Sequence, residues 1–393
     1  MPMKKYEKNK KLKYETKDSK NKVHEQIRLK VDSYFKTKNI TRNGNFSLLI
    51  KTLVLFGLLG FSYYCLVHSS SFSTLLFSFI AFGFVFLILG INIGHDAAHT
   101  CVTGNKQLDN LLFQLTFGLQ GLSGYVWQIR HNSSHHIFPN VYGNDTDLEI
   151  SPLILISQEQ KKMKLHKYQH LYAPLIYMLF SLSWIFYVDF SMLFKKQHAN
   201  IRMGKIPTVE IIKLVVIKIT YLIIFLVVPY LLIPLPFLYI LSTYLIMNFV
   251  VSIFLALTFF ISHHVKETEY TEVKNNMVVA DSWIQHQIVS TIDFSTESPI
   301  GNFIFGGFNL HIAHHIFPNM SHIHYPTVTR IIKETLEENN LSWYKSFGFL
   351  DGVKSHFSLL KKNGNEVFEK VKTEEVPDVS NLSIEEEEEV IFA

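Results

Sequence analysis

The stretch FSTLLFSFIAFGFVFLILGINIGHDAAHT, residues 72–100, joins a long apolar run directly to two histidines. The run over 72–93 is long enough to cross a bilayer as a helix. His95 and His99 follow it four residues apart, so they share one face if the helix continues, and both imidazoles can then reach one metal ion. The stretch therefore predicts a membrane helix that ends in a metal-binding pair.

Similar apolar runs predict the other membrane helices. Together with 72–93, we predict that residues 48–67, 212–233 and 237–262 span the membrane. Only HSSS separates the first two runs, and the turn at Pro234–Pro236 separates the last two. Each pair is therefore predicted to form a tight helical hairpin.

Basic residues predict the orientation of these hairpins, because loops rich in Lys and Arg stay in the cytoplasm. Residues 1–47 form a basic arm, which we interpret as cytoplasmic. The loop before the third helix is also basic, with Lys195, Lys196, Arg202 and Lys205. Lys213 and Lys218 lie in the first turns of that helix, where their stems are expected to reach back to the cytoplasmic surface.

Two shorter apolar stretches are predicted to lie at the membrane interface. A crossing by 171–190, which carries Pro174 and Asp189, would place the later histidines on the opposite side from the earlier ones. The stretch 111–125 is short and interrupted by glycines. Residues 346–393 are predicted to form a cytoplasmic tail with an acidic end, the run Glu385–Glu389.

Two further histidine clusters follow the first. RHNSSHHIFPN contains His131, His135 and His136, and LHIAHHIFPN contains His311, His314 and His315. One histidine pair four residues apart is more often an ordinary surface or core feature than a ligand pair. Three clusters with eight of the 19 histidines, all predicted at one membrane face, instead indicate metal binding. Adjacent helical histidines diverge by about 100°, so they suit two neighbouring metals.

The ligand type leaves the metal open, because imidazole binds iron, copper and zinc. The number of nitrogens exceeds what zinc needs, and the setting beside apolar bilayer points to paired irons that activate dioxygen. Cys65 and Cys101 provide neither a disulfide framework nor a cysteine metal site, and the net charge of +4 does not suggest nucleic-acid binding. We predict an all-α integral membrane protein with four transmembrane helices in two hairpins and a cytoplasmic helical domain that holds a di-iron site.

Polar residues near the clusters are candidates for orienting the histidines. The carboxylates of Asp96, Asp145, Asp147 and Glu149 either accept the second ring N–H of a histidine or are simply solvated. We include Asn309, beside the third cluster, in the same group. The remaining histidines do not continue a cluster and are expected at the surface or interface: His166, His170, His198, His322 and His324.

The pattern H-x3-H, H-x3-HH and H-x2-HH, joined to paired membrane hairpins, resembles the membrane fatty acid desaturase family. The resemblance covers about 45–345, and we predict a desaturase domain over 48–345. Four further sequence segments resemble bacterial members of the family described as linoleoyl-CoA-desaturase-like: GNDTDLEI, FFISHHVKETEY, WIQHQIVSTIDF and GGFNLHIAHHIFPN.

The resemblance implies one more metal ligand, a histidine at the end of the last spanning helix. His263 matches it, His264 is its neighbour, and His286 is expected among the residues that contact the ligands. Front-end members usually begin the third cluster with Gln where this chain has His311, which puts front-end regiochemistry in doubt. The HPGG signature of a fused haem domain is absent from the sequence, so electrons are expected from a separate ferredoxin or haem protein with its reductase.

The function that the resemblance implies is introduction of a cis double bond into an acyl-CoA or acyl-lipid, with two iron ions and dioxygen as co-substrate. No side chain beyond the metal site is expected to be catalytic. We expect a bent apolar tunnel for the acyl chain, with Trp127 either lining it or acting as an interfacial anchor. The alternatives are a lipid or carotenoid hydroxylase or ketolase on the same scaffold, and a non-enzymatic metal-binding protein or transporter.

Overall fold

The computed structural model of the protein describes residues 13–14, 18–148, 151–199, 201–271, 273–274, 277–278 and 282–366. The helices are α1 (Asp18–Lys38), α2 (Phe46–Val67), α3 (Phe72–Ala98), α4 (Lys106–Leu119), α5 (Gly124–Arg130), α6 (Lys164–Tyr177), α7 (Phe180–Phe194), α8 (Thr208–Leu232), α9 (Phe237–His263), α10 (Trp283–Val289), α11 (Pro299–Phe305), α12 (His311–Ile316), α13 (Tyr325–Glu338) and α14 (Phe349–Asn365).

Short strands complete the described part of the chain. They are β1 (Lys13–Tyr14), β2 (Gln197–His198), β3 (Ile201–Arg202), β4 (Val273–Lys274), β5 (Met277–Val278), β6 (Asp293–Phe294) and β7 (Ser346–Phe347). They pair in the orders β1-β5-β4, β2-β3 and β6-β7. The prediction of a mainly helical chain is confirmed.

Four helices of 22 to 27 residues, α2, α3, α8 and α9, are long and apolar enough to span a membrane. They lie where the sequence predicts four spans, and side chains cap the starts of the first two, α2 and α3. Asn45 accepts a hydrogen bond from the Leu48 amide at the start of α2, and Ser71 accepts one from the Thr74 amide at the start of α3. About half of the residues in α3 and α9 are buried, against about a quarter in α2 and α8. Thus α3 and α9 form the centre of the helical core.

A bent pair of helices covers one side of this core. Helices α6 and α7 meet at an angle of 73°, and Pro174 lies inside α6. Ser181 of α7 is tied to α9 by a 2.6 Å hydrogen bond between its hydroxyl and that of Ser252. This pair contains most of the stretch 171–190, whose interfacial position remains a prediction.

Lys218 corrects the prediction for the start of α8. Its side chain is buried, and its Nζ lies 2.6 Å from Asp189 Oδ2 of α7 and 2.6 Å from the Gly121 carbonyl. The prediction that its stem reaches back to the surface is therefore wrong. Burial of the lysine is possible because Asp189 supplies the opposite charge. Lys213 is exposed and pairs with Glu210 at 2.7 Å.

The described part of the N-terminal arm is folded onto the body of the protein. In α1, Val23, Ile27, Val31 and Phe35 are buried at four-residue spacing and share an apolar core with α10, α12 and α13. The C-terminal helix of the described chain is also folded onto the body of the protein, because α14 packs against α9 and α6. The acidic run Glu385–Glu389 lies outside the described residues.

Four histidines predicted at the surface or interface are buried inside the protein. They are His166, His198, His322 and His324. Each finds a polar partner, as a buried imidazole requires. His166, for example, lies 3.0 Å from the Pro152 carbonyl oxygen, and His322 Nδ1 lies 2.8 Å from Asp96 Oδ2.

Candidate metal centre

The nine histidines predicted as ligands converge from four separate elements. His95 and His99 lie at the end of α3, His263 ends α9, and the third cluster lies on α12. The second cluster continues from α5 as a π-helical turn over His131–His135. Eight of the nine side chains are buried, and His136 is half-buried. Residues up to 220 positions apart in the chain therefore share one small region.

Eight of these histidines divide into two groups of four. Within each group the candidate ligand nitrogens all lie within 4.8 Å of one another. One group contains His95, His99, His131 and His314, and the other contains His135, His263, His311 and His315. His136 joins the edge of the first group, with its Nε2 2.8 Å from His131 Nε2.

The backbone explains how each cluster is divided. In α12, His311 and His315 are four residues apart on one face, and His314 points to the other group. The second cluster differs because its turn is π-helical, with the His136 amide bonded to the His131 carbonyl. Residues five apart then share a face, so His136 lies with His131, while His135 faces His263 instead. The spacing of four alone did not predict this division.

The donor set fits metal ions. The Nε2 atoms of His95, His99 and His314 are buried without a hydrogen-bond partner among the described residues. His263 Nε2 lies 3.2 Å from the Nε2 atoms of both His135 and His315. A metal–nitrogen distance of about 2.1 Å places neighbouring ligand nitrogens at about this separation. Both groups therefore have the geometry and chemistry of imidazole metal sites.

Electrostatics also favour the ligand form of these side chains. Burial, reinforced by neighbouring histidines, holds the pKa of His131, His314 and His315 well below its ordinary value. Burial also lowers the pKa of His99 to about 4. These imidazoles are therefore neutral near pH 7, and a neutral imidazole is the form that donates a lone pair to a metal.

The predicted carboxylates take different positions around the groups. Asp145 lies 3.2 Å from His135 Nδ1, and Asp147 lies 3.5 Å from the same atom. Burial disfavours charge on His135, but these two carboxylates outweigh it and raise its pKa to about 9. The same negative field would favour a metal cation at its Nε2. The Asp96 carboxylate instead accepts hydrogen bonds from Ser321 and His322, and among the described residues it is bonded to no histidine of the three clusters.

The remaining candidates lie farther out. His286 Nδ1 is 3.0 Å from the Thr271 hydroxyl, and Asn309 donates to Asn302 at 2.6 Å. His264 Nδ1 is 3.3 Å from the Tyr270 hydroxyl, and His264 lies outside both four-histidine groups. Glu149 lies outside the described residues.

An apolar cavity of about 190 Å³ opens beside the histidine groups. His95, His131, His135 and His263 contribute to its wall. The rest of its wall is mainly apolar and comes from α3, α7 and α9, including Leu87, Ile91, Trp184, Ile185, Leu255 and Phe259. Trp127 also lines it and stacks on His131 with ring centroids 4.2 Å apart. The cavity therefore suits an apolar chain that must reach the histidine centre.

Comparison with known proteins decides the family. The sequence model described as fatty acid desaturase matches residues 70–347, well over half of the chain. The chain belongs to the fatty acid desaturase family. It is a membrane acyl desaturase, an oxidoreductase whose substrate is a fatty acyl chain.

Several named desaturases are similar over most of this desaturase. A sn-1 linoleoyl-lipid 6-desaturase from Synechocystis sp. is 28% identical over 85% of this chain and 93% of its own. A protein of the same name from Arthrospira platensis is 26% identical over 86% of this chain and 91% of its own. An acyl-lipid (8-3)-desaturase from Mortierella alpina is 29% identical over 87% of this chain and 77% of its own.

Gln287 is a contact of the histidine centre that the sequence did not reveal. Its side-chain oxygen lies 2.9 Å from His315 Nδ1, and its amide nitrogen donates to the His136 carbonyl at 3.3 Å. It therefore bridges the second and third clusters. In the segment WIQHQ, His286 was the residue predicted to contact the metal ligands. In the structure, His286 on α10 faces Thr271, and Gln287 faces the histidine centre.

We expect replacement of Gln287 by Leu to lower desaturase activity about 10- to 100-fold, because partners of metal-bound histidines contribute effects of this size. The measurement is product formation per chain, together with metal retained after dialysis. Gln285→Leu is the matched control, since Gln285 lies on the same helix and its side-chain oxygen has no hydrogen-bond partner among the described residues. Equal activity of the two variants would contradict the role of Gln287.

Proposed function

We propose that the nine histidines hold two iron ions and that this desaturase introduces a cis double bond into an acyl chain in the apolar cavity. The observation that carries the proposal is that both four-histidine groups contribute side chains to the wall of that cavity. The relatives named for linoleoyl-lipid and acyl-lipid substrates favour a lipid-linked chain over a CoA thioester.

The side chains of the protein position the acyl substrate and form its surroundings. Removal of two hydrogens from adjacent carbons, with two external electrons and two protons, reduces dioxygen to two molecules of water. Activation of dioxygen is the chemistry that a bound pair of irons supplies. The cavity wall holds one carbon pair of the chain beside the histidines and keeps water away, and errors of position of about 1 Å can cost about 100-fold in rate.

We also propose that the centre faces the cytoplasm and receives electrons from a separate ferredoxin or haem protein. His95 ends the second apolar helix and His263 ends the fourth, so both ends lie on one side if all four helices cross. The basic loop before α8 supports assignment of that side to the cytoplasm.

The test is expression in a host that lacks polyunsaturated lipids, with profiling of new fatty acids by mass spectrometry. We expect new cis alkenes that depend on dioxygen and an electron donor. Iron chelation is expected to abolish them in purified protein, and iron but not zinc to restore them. Products with an added oxygen atom and no new alkene would contradict the proposal, as would full activity with zinc alone.

A further inference from the structure

Arg130 is a cation in the wall of an otherwise mainly apolar cavity. It ends α5, directly before His131, and its side chain is 11% exposed. Among the described residues that line the cavity, it is the one Lys or Arg. Placement of a guanidinium in such a site is costly unless its N–H groups have acceptors.

The protein satisfies this guanidinium only in part. One Nη donates to the Thr146 carbonyl at 2.8 Å, and the group stacks over the Trp184 ring at 5.2 Å. Its distance to Asp147 is 3.5 Å, longer than the 2.7–2.9 Å of a strong charge-assisted hydrogen bond. The Nε atom is buried and has no acceptor among the described residues. The other Nη atom has no acceptor among the described residues, and because the side chain is 11% exposed and lines the cavity, the N–H groups of that atom are available to a bound molecule.

The acyl substrate brings a matching acceptor. An acyl chain is apolar except for the carbonyl oxygen at its head, whether the carrier is an ester or a thioester. We propose that Arg130 donates a hydrogen bond to this carbonyl oxygen and so fixes the head of the acyl chain. This inference rests on the proposed function, because it assumes that the cavity holds an acyl substrate.

A hydrogen bond from Arg130 to the carbonyl would determine where the double bond is formed. Asp147 lies between the guanidinium and His135, at 3.5 Å from each, so the head of the chain is held close to the second histidine group. The number of carbons between the carbonyl and the centre is then set by the protein. The double bond is counted from the carboxyl end and does not move when the chain is lengthened at its methyl end.

The first experiment compares the wild-type protein with Arg130→Gln on phosphatidylcholines that carry C16, C18 or C20 acyl chains, and on the matching CoA thioesters. Wild type is expected to place the double bond at one distance from the carbonyl in all three lengths. Arg130→Gln is expected to give a spread of positions and a loss of about 10- to 100-fold in kcat/KM, the size of a hydrogen bond to a charged group. Arg330→Gln, at an exposed arginine, is the matched control.

A purely structural role predicts a different result. If Arg130 only balances the half-buried carboxylate of Asp147, Arg130→Gln loses iron or thermal stability but keeps the double bond at one position. That outcome overturns the inference. So does a double bond that keeps its distance from the methyl end in wild type, because the enzyme would then count from the other end.

The second experiment needs no variant, so poor folding of Arg130→Gln cannot obscure the result. Wild type is given an ether lipid in which a methylene group replaces the ester carbonyl. A spread of product positions and a similar loss in kcat/KM are expected, whereas unchanged position and rate overturn the inference. Iron-dependent desaturation of the ester lipid by wild type is the common control. If wild type does not desaturate the ester lipid, the proposed function itself is contradicted. If it does, but the position and rate are the same with the ether lipid, only the proposed role of Arg130 is contradicted.

Discussion

Replacement of His135 by Ala is expected to abolish desaturation and to leave the protein in the membrane. His135 Nε2 lies 3.2 Å from His263 Nε2, inside the second four-histidine group, and its Nδ1 faces Asp145. Alanine removes one nitrogen of four and leaves the buried Asp145 without its partner. The four helices that are long and apolar enough to cross a membrane are untouched.

The measurements for this variant are fatty acid profiling, iron per chain and membrane fractionation. We expect no new alkene and, for the proposed pair of irons, a fall from two per chain towards one, because the first group keeps all its histidines. His68→Ala is the matched control, since His68 is an exposed histidine in the turn between α2 and α3. Retained product or unchanged iron in the His135 variant would show that this side chain is not a ligand.

The membrane helices were predictable because each depends on a local property of the sequence. An apolar run of about 20 residues must satisfy its own backbone as a helix wherever it crosses lipid. The structure accordingly has α2 over 46–67 where 48–67 was predicted, and α9 over 237–263 where 237–262 was predicted. The pairing of His95 with His99 depends on one helical turn and was equally accessible.

Contacts between distant segments were not predictable in the same way. Which of His286 and Gln287 faces the centre depends on how α10 packs, and neighbours on a helix differ by about 100°. The grouping of His131 with His136 depends on a π-helical turn that the sequence motif does not predict. The sequence therefore identified the clustered histidines but not their division into two groups.

The sequence of α1 contains an apolar repeat that indicates a buried helix face, but the many lysines around it hide the pattern. Val23, Ile27, Val31 and Phe35 repeat every four residues, as expected for a helix with one buried face. The lysines around them make the segment resemble a solvated arm. Its apolar face is used because α13 offers a matching surface, which only the folded protein shows.

Replacement of Lys218 by Met is expected to destabilise the protein by about 3–5 kcal/mol, because it leaves the buried Asp189 carboxylate without a cation. Asp189 Oδ2 accepts hydrogen bonds from Lys218 at 2.6 Å and from the Ser123 amide at 3.0 Å. The pair therefore ties α7 to α8 and to the start of α5. Ile185 and Val188, which precede Asp189 on α7, line the cavity. Activity is expected to fall with stability, since this wall moves when the pair is broken.

The measurement is thermal unfolding in detergent micelles. Lys213→Met is the matched control on the same helix, because Lys213 is exposed and its pair with Glu210 contributes little. The double variant Lys218→Met with Asp189→Leu separates two explanations. If an uncompensated charge causes the loss, removal of both charges restores most of the stability, because a buried ion pair and an apolar pair of similar volume are often close in energy. If the double variant is as unstable as Lys218→Met, the hydrogen bonds to Gly121 and Ser123, rather than the charge balance, hold α7 against the cavity.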